Sequence, residues 1–245
     1  MYKGKKVSVV FSTYKEKKTI KKVIEDFWDT GYVDEIVVVN NNAQKGTDKE
    51  VQKTKAKLVH ECRQGYGYGF QRAINEATGD LIVVSEPDGS FLAKDLERFL
   101  VYSEGFDVVI GSRTSLIASL SGRGMGWLRK FSNVFEAKTI EVLFNTNALT
   151  DVGCTYKLFS RKAIRKISEN WGYGDSALFN TQLYLLVISK NLSFVEIPIT
   201  YLQRTGASSV VPDLKSEIWW GLRIQVYIFY FWLKNTLFNS RRQKR

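Results

Sequence analysis

Short, branched apolar runs alternate with amphipathic stretches through the first half of the chain, the pattern expected of strands buried on both faces and separated by helices. Val7-Ser-Val-Val-Phe11 predicts the first strand, and Ile20, Val23, Ile24 and Phe27 then recur at helical spacing between Glu16 and Trp28. Glu35-Ile-Val-Val-Val39 predicts a second strand, with the polar turn Asn40 to Gly46 and a charged helix from Thr47 behind it. A third strand near Lys57–Glu61 leads into the glycine-rich Gln64 to Gly69 and a helix to Ala77. Leu81-Ile-Val-Val84, a helix from Ala93 to Tyr102 and the strand Asp107-Val-Val-Ile-Gly111 complete an alternating β-α series. Such a series predicts an α/β fold with a mainly parallel sheet and helices on both faces.

The second half is less regular. Ser115 to Gly126 has small residues without a period and predicts a mobile loop, whereas Trp127–Phe144 predicts a helix that buries Leu128, Phe131, Val134, Phe135, Ile140, Leu143 and Phe144. A strand at Lys157–Phe159, a helix near Ala177–Ser189 and a strand at Leu192–Ile199 follow. No boundary is visible before about residue 205, so the organisation expected is one domain over 1–211 and a helical tail over 212–245.

Charge changes the picture only when it is located. The net charge is +11 over 245 residues, which taken whole suggests a nucleic-acid or anionic-membrane partner. Residues 1–22 hold Lys3, Lys5, Lys6, Lys15, Lys17, Lys18, Lys21 and Lys22 against Glu16 alone. The end holds Arg241, Arg242, Lys244 and Arg245, and residues 23–235 between them are formally neutral. A neutral body argues against nucleic acid. Cys62 and Cys154 cannot form a disulfide framework and lack metal-ligand spacing, which predicts a reducing, cytosolic setting. The first apolar run is too short for an export signal, so membrane contact is expected from the cytosolic side.

In an open α/β sheet, ligands sit beyond the carboxyl ends of the strands. Here those ends are the polar segments Ser12–Glu16, Asn40–Asn42, Ser85–Ser90 and Gly111–Arg113. The segment Gly79 to Phe91 is the most informative, because its strand runs out into two carboxylates, Glu86 and Asp88. Hard oxygens so placed suit Mg²⁺ or Mn²⁺, which would clamp a diphosphate. A turn shaped by Pro87 and Gly89 is the structural alternative. Gly65-Tyr-Gly-Tyr-Gly69 follows the third strand with the wrong spacing for a dinucleotide loop, and His60, the only histidine, reads as a strand-end side chain.

These blocks resemble family 2 glycosyltransferases of the GT-A fold. Val7 to Glu16 is similar to that family's "VVIPTYNE" opening, and Glu35 to Asn42 with Gly46-Thr47 to its "EIIVVDNNSTDGT". Arg63 to Gly67, Ala77-Thr-Gly-Asp80, Glu86-Pro-Asp-Gly-Ser90 and Ile110-Gly-Ser-Arg113 follow in the family's order. Thr150 to Arg161, Glu196-Ile-Pro-Ile199 and Arg204-Thr-Gly-Ala-Ser208 resemble the branch that loads sugars onto dolichyl or polyprenyl phosphate. The resemblance spans roughly residues 6–210. It implies inverting transfer from a UDP- or GDP-linked sugar to a lipid-linked phosphate, with Mg²⁺ or Mn²⁺ as cofactor.

By motif position the resemblance places Ser12, Tyr14, Glu16, Asn40 and Glu86 at the nucleotide, Glu86, Asp88 and Ser90 at the metal, and Asp88, Arg113, Asp151 and Arg204 at the reaction centre. Arg113 and Arg204 would bind phosphate, the latter on the acceptor. An anionic acceptor needs no general base; a hydroxyl acceptor does, and Asp151 and Asp175 are then the candidates. Asn40 stands where the family has Asp, Gln182 where Glu is frequent, and Ser209 where Lys is usual. A hydroxyl-directed transferase and a non-catalytic nucleotide-sugar-binding homologue are the alternatives.

Ile218 to Leu233 is dense in aromatics but is interrupted by Arg223 and Gln225 and is shorter than the ~20 apolar residues of a membrane span. With Arg241 to Arg245 beyond it, the tail predicts a helix lying on an anionic membrane surface. Packing on the domain, or on a second copy in a homo-oligomer, is the other use of such a helix.

Overall fold

The computed structural model describes residues 1–114, 126–202 and 214–242, with α8 side chains described as far as Leu237. The loop expected at 115–126 lies almost wholly outside the described residues, as do Arg204, Ser209 and residues 243–245.

Seven strands form one sheet in the order β3-β2-β1-β4-β6-β5-β7. They are β1 (Val7–Thr13), β2 (Glu35–Asn40), β3 (Lys57–His60), β4 (Leu81–Val84), β5 (Val108–Ser112), β6 (Lys157–Ser160) and β7 (Phe194–Pro198). All neighbours are parallel except β6, which runs antiparallel to both β4 and β5. That reversal matters for the site. The start of β6, not its end, lies at the carboxyl edge of the sheet, so residues 153–155 just before it arrive beside the ends of β4 and β5.

The helices are α1 (Ile20–Trp28), α2 (Thr47–Gln52), α3 (Tyr66–Glu76), α4 (Leu96–Tyr102, after a short 3₁₀ turn Ala93–Asp95), α5 (Trp127–Phe144), α6 (Arg161–Ser168), α7 (Leu178–Ser189) and α8 (Leu214–Arg242). Period-two alternation divides them between the faces. Val10, Val37, Ile82, Val84, Ile110 and Phe159 point into a core shared with α3, α5, α6, α7 and α8. Val9, Phe11, Ile36, Val38, Val83, Val109 and Leu158 point into a second core with α1, α2 and α4.

Two helices differ from expectation. Helix α6 is absent from the expected elements; Ser160 caps it by accepting from the Ala163 amide at 3.1 Å, and Ala163, Ile164 and Ile167 give it a narrow apolar stripe. In α5 the expected burial holds only toward its end, where Ile140 is buried and Leu143 and Phe144 pack on the core; earlier Asn133, Glu136 and Ala137 are buried, whereas Phe131 and Phe135 are 64% and 55% exposed. The inner side of the first half of α5 faces a polar cleft, so Asn133 and Glu136 go inward and Trp127, Phe131 and Phe135 outward.

The tail helix packs on the domain. Ile228 is fully buried and Tyr227 nearly so, with Tyr227 edge-on to Tyr173 and Phe231 against Phe144. Its other side leaves Ile218, Trp219, Leu222, Val226, Phe229, Tyr230, Leu233 and Leu237 exposed. No described helix is long and apolar enough to cross a membrane.

Candidate active site

A cleft of about 600 Å³ opens at the carboxyl edge of the sheet. Ser12, Tyr14, Glu16 and Asn41 line one end; Glu86, Asp88, Arg113, Gly153 and Thr155 line the middle; Arg129, Ser132, Glu136, Trp220, Gly221 and Ile224 line the other.

The first end is braced by the turn after β1. Oε2 of Glu16 accepts from the backbone amides of Tyr14 (2.7 Å) and Lys15 (2.9 Å), and from the Thr13 hydroxyl at 3.2 Å. Ser12 faces α3 at Gly69, where a Cβ would come within 1.9 Å of its hydroxyl oxygen; a side chain there would push the helix off the pocket floor. The glycine-rich run is thus the first turn of α3, closely seated against β1, and its Tyr66 enters the cleft. Asn40 does not line it: its amide donates to Asp48, and its Oδ1 accepts from the Ala43 amide at 2.7 Å, shaping the turn after β2. Asn41 lines it instead, donating to the Glu61 and Arg63 carbonyls and accepting from the Gly65 amide at 3.0 Å.

In the middle, Oε1 of Glu86 accepts from the Thr155 hydroxyl at 2.7 Å and from Tyr66 at 3.3 Å. Burial, and then the Glu86 charge, holds the Tyr66 hydroxyl well above its ordinary range, so it stays a donor. Asp88 is buried, and its Oδ1 accepts from the Ser90 amide (2.9 Å) and hydroxyl (2.6 Å). Ser90 is buried and outside the cleft lining, so it orients Asp88 and does not reach into the site. Among the described residues no cluster of three or more His, Cys, Asp or Glu is present. Two cleft carboxylates fit a hard divalent cation that takes its remaining oxygens from a diphosphate and water.

Arg113 is held by Asp151 through two side-chain bonds of 2.8 Å, one from Nε and one from Nη2, while its own amide donates to the same carboxylate at 2.8 Å. Asp151 is fully buried. Burial opposes the charge on Arg113, but the Asp151 carboxylate overrides it and raises the guanidinium pKa further. The same guanidinium lies 5.3 Å from the Tyr201 ring. Asp151, expected at the reaction centre, is therefore a buried counter-ion with both oxygens engaged by Arg113, and its side chain is absent from the cleft lining. Asp175 does line the cleft. Gln182 is buried and accepts from the Gly172 amide at 2.9 Å. His60 sits at the far edge of the sheet, 3.1 Å from Asp48.

The sequence reading did not single out Tyr66, Thr155, Arg129, Ser132 or Glu136. Only Tyr66 carried a local signal, its place in the glycine run. The rest become site residues because β6 is reversed and because α5 turns its polar side inward, and neither is encoded locally. Arg129 Nε lies 3.0 Å from Glu217 of α8, tying the two helices across the cleft mouth.

The sequence profile described as "Glycosyl transferase family 2" matches residues 8–168. The chain is 24% identical over 208 residues to a dolichyl-phosphate hexose transferase of Haloferax volcanii, covering 84% of this chain and 87% of that one. It is 24% identical over 234 residues to a dolichyl-phosphate beta-glucosyltransferase of Saccharomyces cerevisiae, covering 82% and 68%. Among solved structures, glucosyl-3-phosphoglycerate synthase of Mycobacterium tuberculosis in complex with UDP superposes with a TM-score of 0.71 at 15% identity, over 94% of this chain and 80% of that one. The same enzyme with Mn²⁺, UDP and its product gives 0.70 at 14% identity, over 95% and 80%. The fold is thus the GT-A arrangement. A profile match across β1 to α6, the strands and helices that build the Ser12–Asn41 end and the middle of the cleft, makes the chain a member of glycosyl transferase family 2 and hence a glycosyltransferase.

Proposed function

We propose that the protein transfers a hexose, with inversion, from a nucleoside-diphosphate sugar to a polyprenyl or dolichyl phosphate at the cytosolic face of a membrane. The observation that carries this reading is the fixed cation in the cleft: Arg113, locked by buried Asp151 and facing the same cavity as Glu86 and Asp88. The acceptor's phosphate oxygen is already an anion, so it attacks the anomeric carbon without a base. The new C–O bond forms as the bond to the β-phosphate breaks, and that electron pair leaves with the diphosphate. Arg113 then acts by charge and position, with a geometry that does not have to reorganise during the step. Glu86 and Asp88 would hold Mg²⁺ or Mn²⁺, which supplies charge neutralisation of the diphosphate. Ser12, Tyr14 and Glu16 would shape the nucleotide end, and Arg204, outside the described residues, would add a second phosphate contact. The names of the Haloferax and yeast relatives support the lipid-phosphate acceptor.

One observation favours a second reading. Asp175 lines the cleft and could serve as base for a hydroxyl acceptor. The decisive assay offers UDP- and GDP-hexoses with Mg²⁺ or Mn²⁺ and compares polyprenyl phosphate with hydroxyl acceptors. Lipid-phosphate product that is lost in Glu86→Ala and Asp88→Ala but kept in Asp175→Asn supports the first reading. Product on a hydroxyl only, abolished by Asp175→Asn, replaces it with the second.

A further inference from the structure

The mechanism above leaves one buried ionisable group in the cleft unused. Glu136 projects from α5 with 3% of its surface exposed, and its only bond among the described residues is from the Ser132 hydroxyl, 3.0 Å away. Opposite it, α8 carries Gly221, where a Cβ would lie 3.0 Å from the Ser132 hydroxyl oxygen and 3.9 Å from Oε1 of Glu136. The glycine thus lets α8 close onto α5 at this point, and Ser132, Glu136, Gly221 and Ile224 line the adjoining end of the cleft.

Among the described residues, charged neighbours do not neutralise Glu136. Asp151, from the loop before β6, is bonded to Arg113 of the β5 end, and Arg129 of α5 is bonded to Glu217 of α8. Lys157, in β6, is spent on the Cys154 carbonyl and Asn180 of α7. Both described arginines of the cleft are thus committed to other carboxylates. Burial, opposed by the Ser132 hydroxyl and assisted by the Asp151 charge, pushes the Glu136 carboxyl up to about 8. Near neutral pH it carries a proton and is a donor.

Glu136 lies at the cleft end opposite Ser12, Tyr14 and Glu16, where α5 and α8 also present exposed aromatics outward. We propose that Glu136 is an acceptor-binding residue whose carboxyl O–H donates a hydrogen bond to an oxygen of the acceptor's phosphate at the end of the cleft lined by α5 and α8. The proposal rests on the lipid-phosphate reading. A neutral acid adds a donor without repelling the incoming dianion, and its ionised form would both lose the donor and repel.

The test measures KM for polyprenyl phosphate and for the nucleotide sugar between about pH 7 and pH 9.5, a range in which a phosphate monoester is already a dianion. For the wild-type chain the acceptor KM should rise about tenfold per unit above about pH 8, with the donor KM steady. Glu136→Gln keeps a donor but cannot ionise, and its acceptor KM should stay flat. Glu136→Ala should raise the acceptor KM about fivefold or more already at pH 7, by loss of a hydrogen bond to a charged group. A Glu136→Gln profile that rises in parallel with wild type, or an unchanged acceptor KM in Glu136→Ala, overturns the proposal while leaving the lipid-phosphate reading intact. A wild-type chain that transfers to no lipid phosphate overturns both.

Discussion

At the residue scale the cleft is governed by what buried charge requires. Arg113 and Asp151 are a desolvated pair, and removing one partner strands the other. Asp151→Asn should therefore lower stability by about 3–5 kcal/mol, read as a drop in melting temperature, and lower turnover by about 10²-fold because the guanidinium loses its anchor. A base role for Asp151 would instead leave stability nearly unchanged. Glu136 makes the opposite prediction. Its folded pKa of about 8 lies above the ordinary 4.5, so between those values the folded chain holds a proton that the unfolded chain has released. Stability then falls as pH rises across that window, by about 1.4 kcal/mol per unit at most, and levels off above it. Glu136→Gln removes this slope, so its melting temperature should pull ahead of wild type steadily from pH 5 to pH 8; a constant gap would contradict it. Glu86, Asp88 and Arg113, where motif position and strand ends coincide, line the cleft. Ser90, Asn40 and Asp151 were placed in contact with ligand, yet each hydrogen-bonds to protein groups that shape the site: Asp88, the turn after β2, and Arg113. A motif records that a residue type is needed and not whether its atoms point at the ligand or at a neighbour.

At the scale of elements, periodicity gave the β-α series of the first half because each strand there is apolar on both faces. It misplaced the buried side of the first half of α5, though not Ile140, Leu143 and Phe144, for a definite reason: periodicity identifies which residues share a face, and the assumption that the apolar face is the inner one fails when the inner neighbour is a polar cleft. Trp127, Phe131 and Phe135 of α5 recur every fourth residue, and Ile218, Leu222, Val226 and Tyr230 of α8 do the same. Trp127 is 80% exposed, and Arg223 lies 4.9 Å from the Trp219 ring, the aromatic and cationic chemistry of a headgroup region. Two unpartnered stripes on adjacent helices fit insertion to the depth of a few side chains into a bilayer surface. If that is their use, Phe131→Ser with Phe135→Ser, or Trp219→Ser with Leu222→Ser, should each weaken binding to sedimented vesicles by about tenfold or more, since each buried apolar side chain contributes about 1.5–3 kcal/mol. Unchanged sedimentation together with loss of a dimer in solution would assign the stripes to a second copy of the chain.

The whole molecule gives the +11 charge a direction. Helix α1, with Lys21 and Lys22, packs on the core of one sheet face, and α5 and α8 pack on the other. One flat surface cannot engage both. Lys21 and Lys22 are also partly neutralised along their own helix, by Glu25 at 3.5 Å and Asp26 at 2.7 Å. The backbone of Arg241 and Arg242, in contrast, belongs to the helix that bears the aromatic stripe, so the basic end follows that stripe directly along the chain. Each Lys or Arg held near an anionic leaflet is worth about 1 kcal/mol and is screened by salt. A chain ending after Leu237, which lacks Arg241, Arg242, Lys244 and Arg245, should therefore lose about 10²-fold or more of its affinity for vesicles rich in anionic lipid at low salt, and little of its affinity for neutral ones. Lys21→Gln with Lys22→Gln should change neither. Equal losses from the two alterations would mean that the chain approaches the membrane along its edge, with both faces in contact, and the stripes of α5 and α8 would no longer mark the docking side.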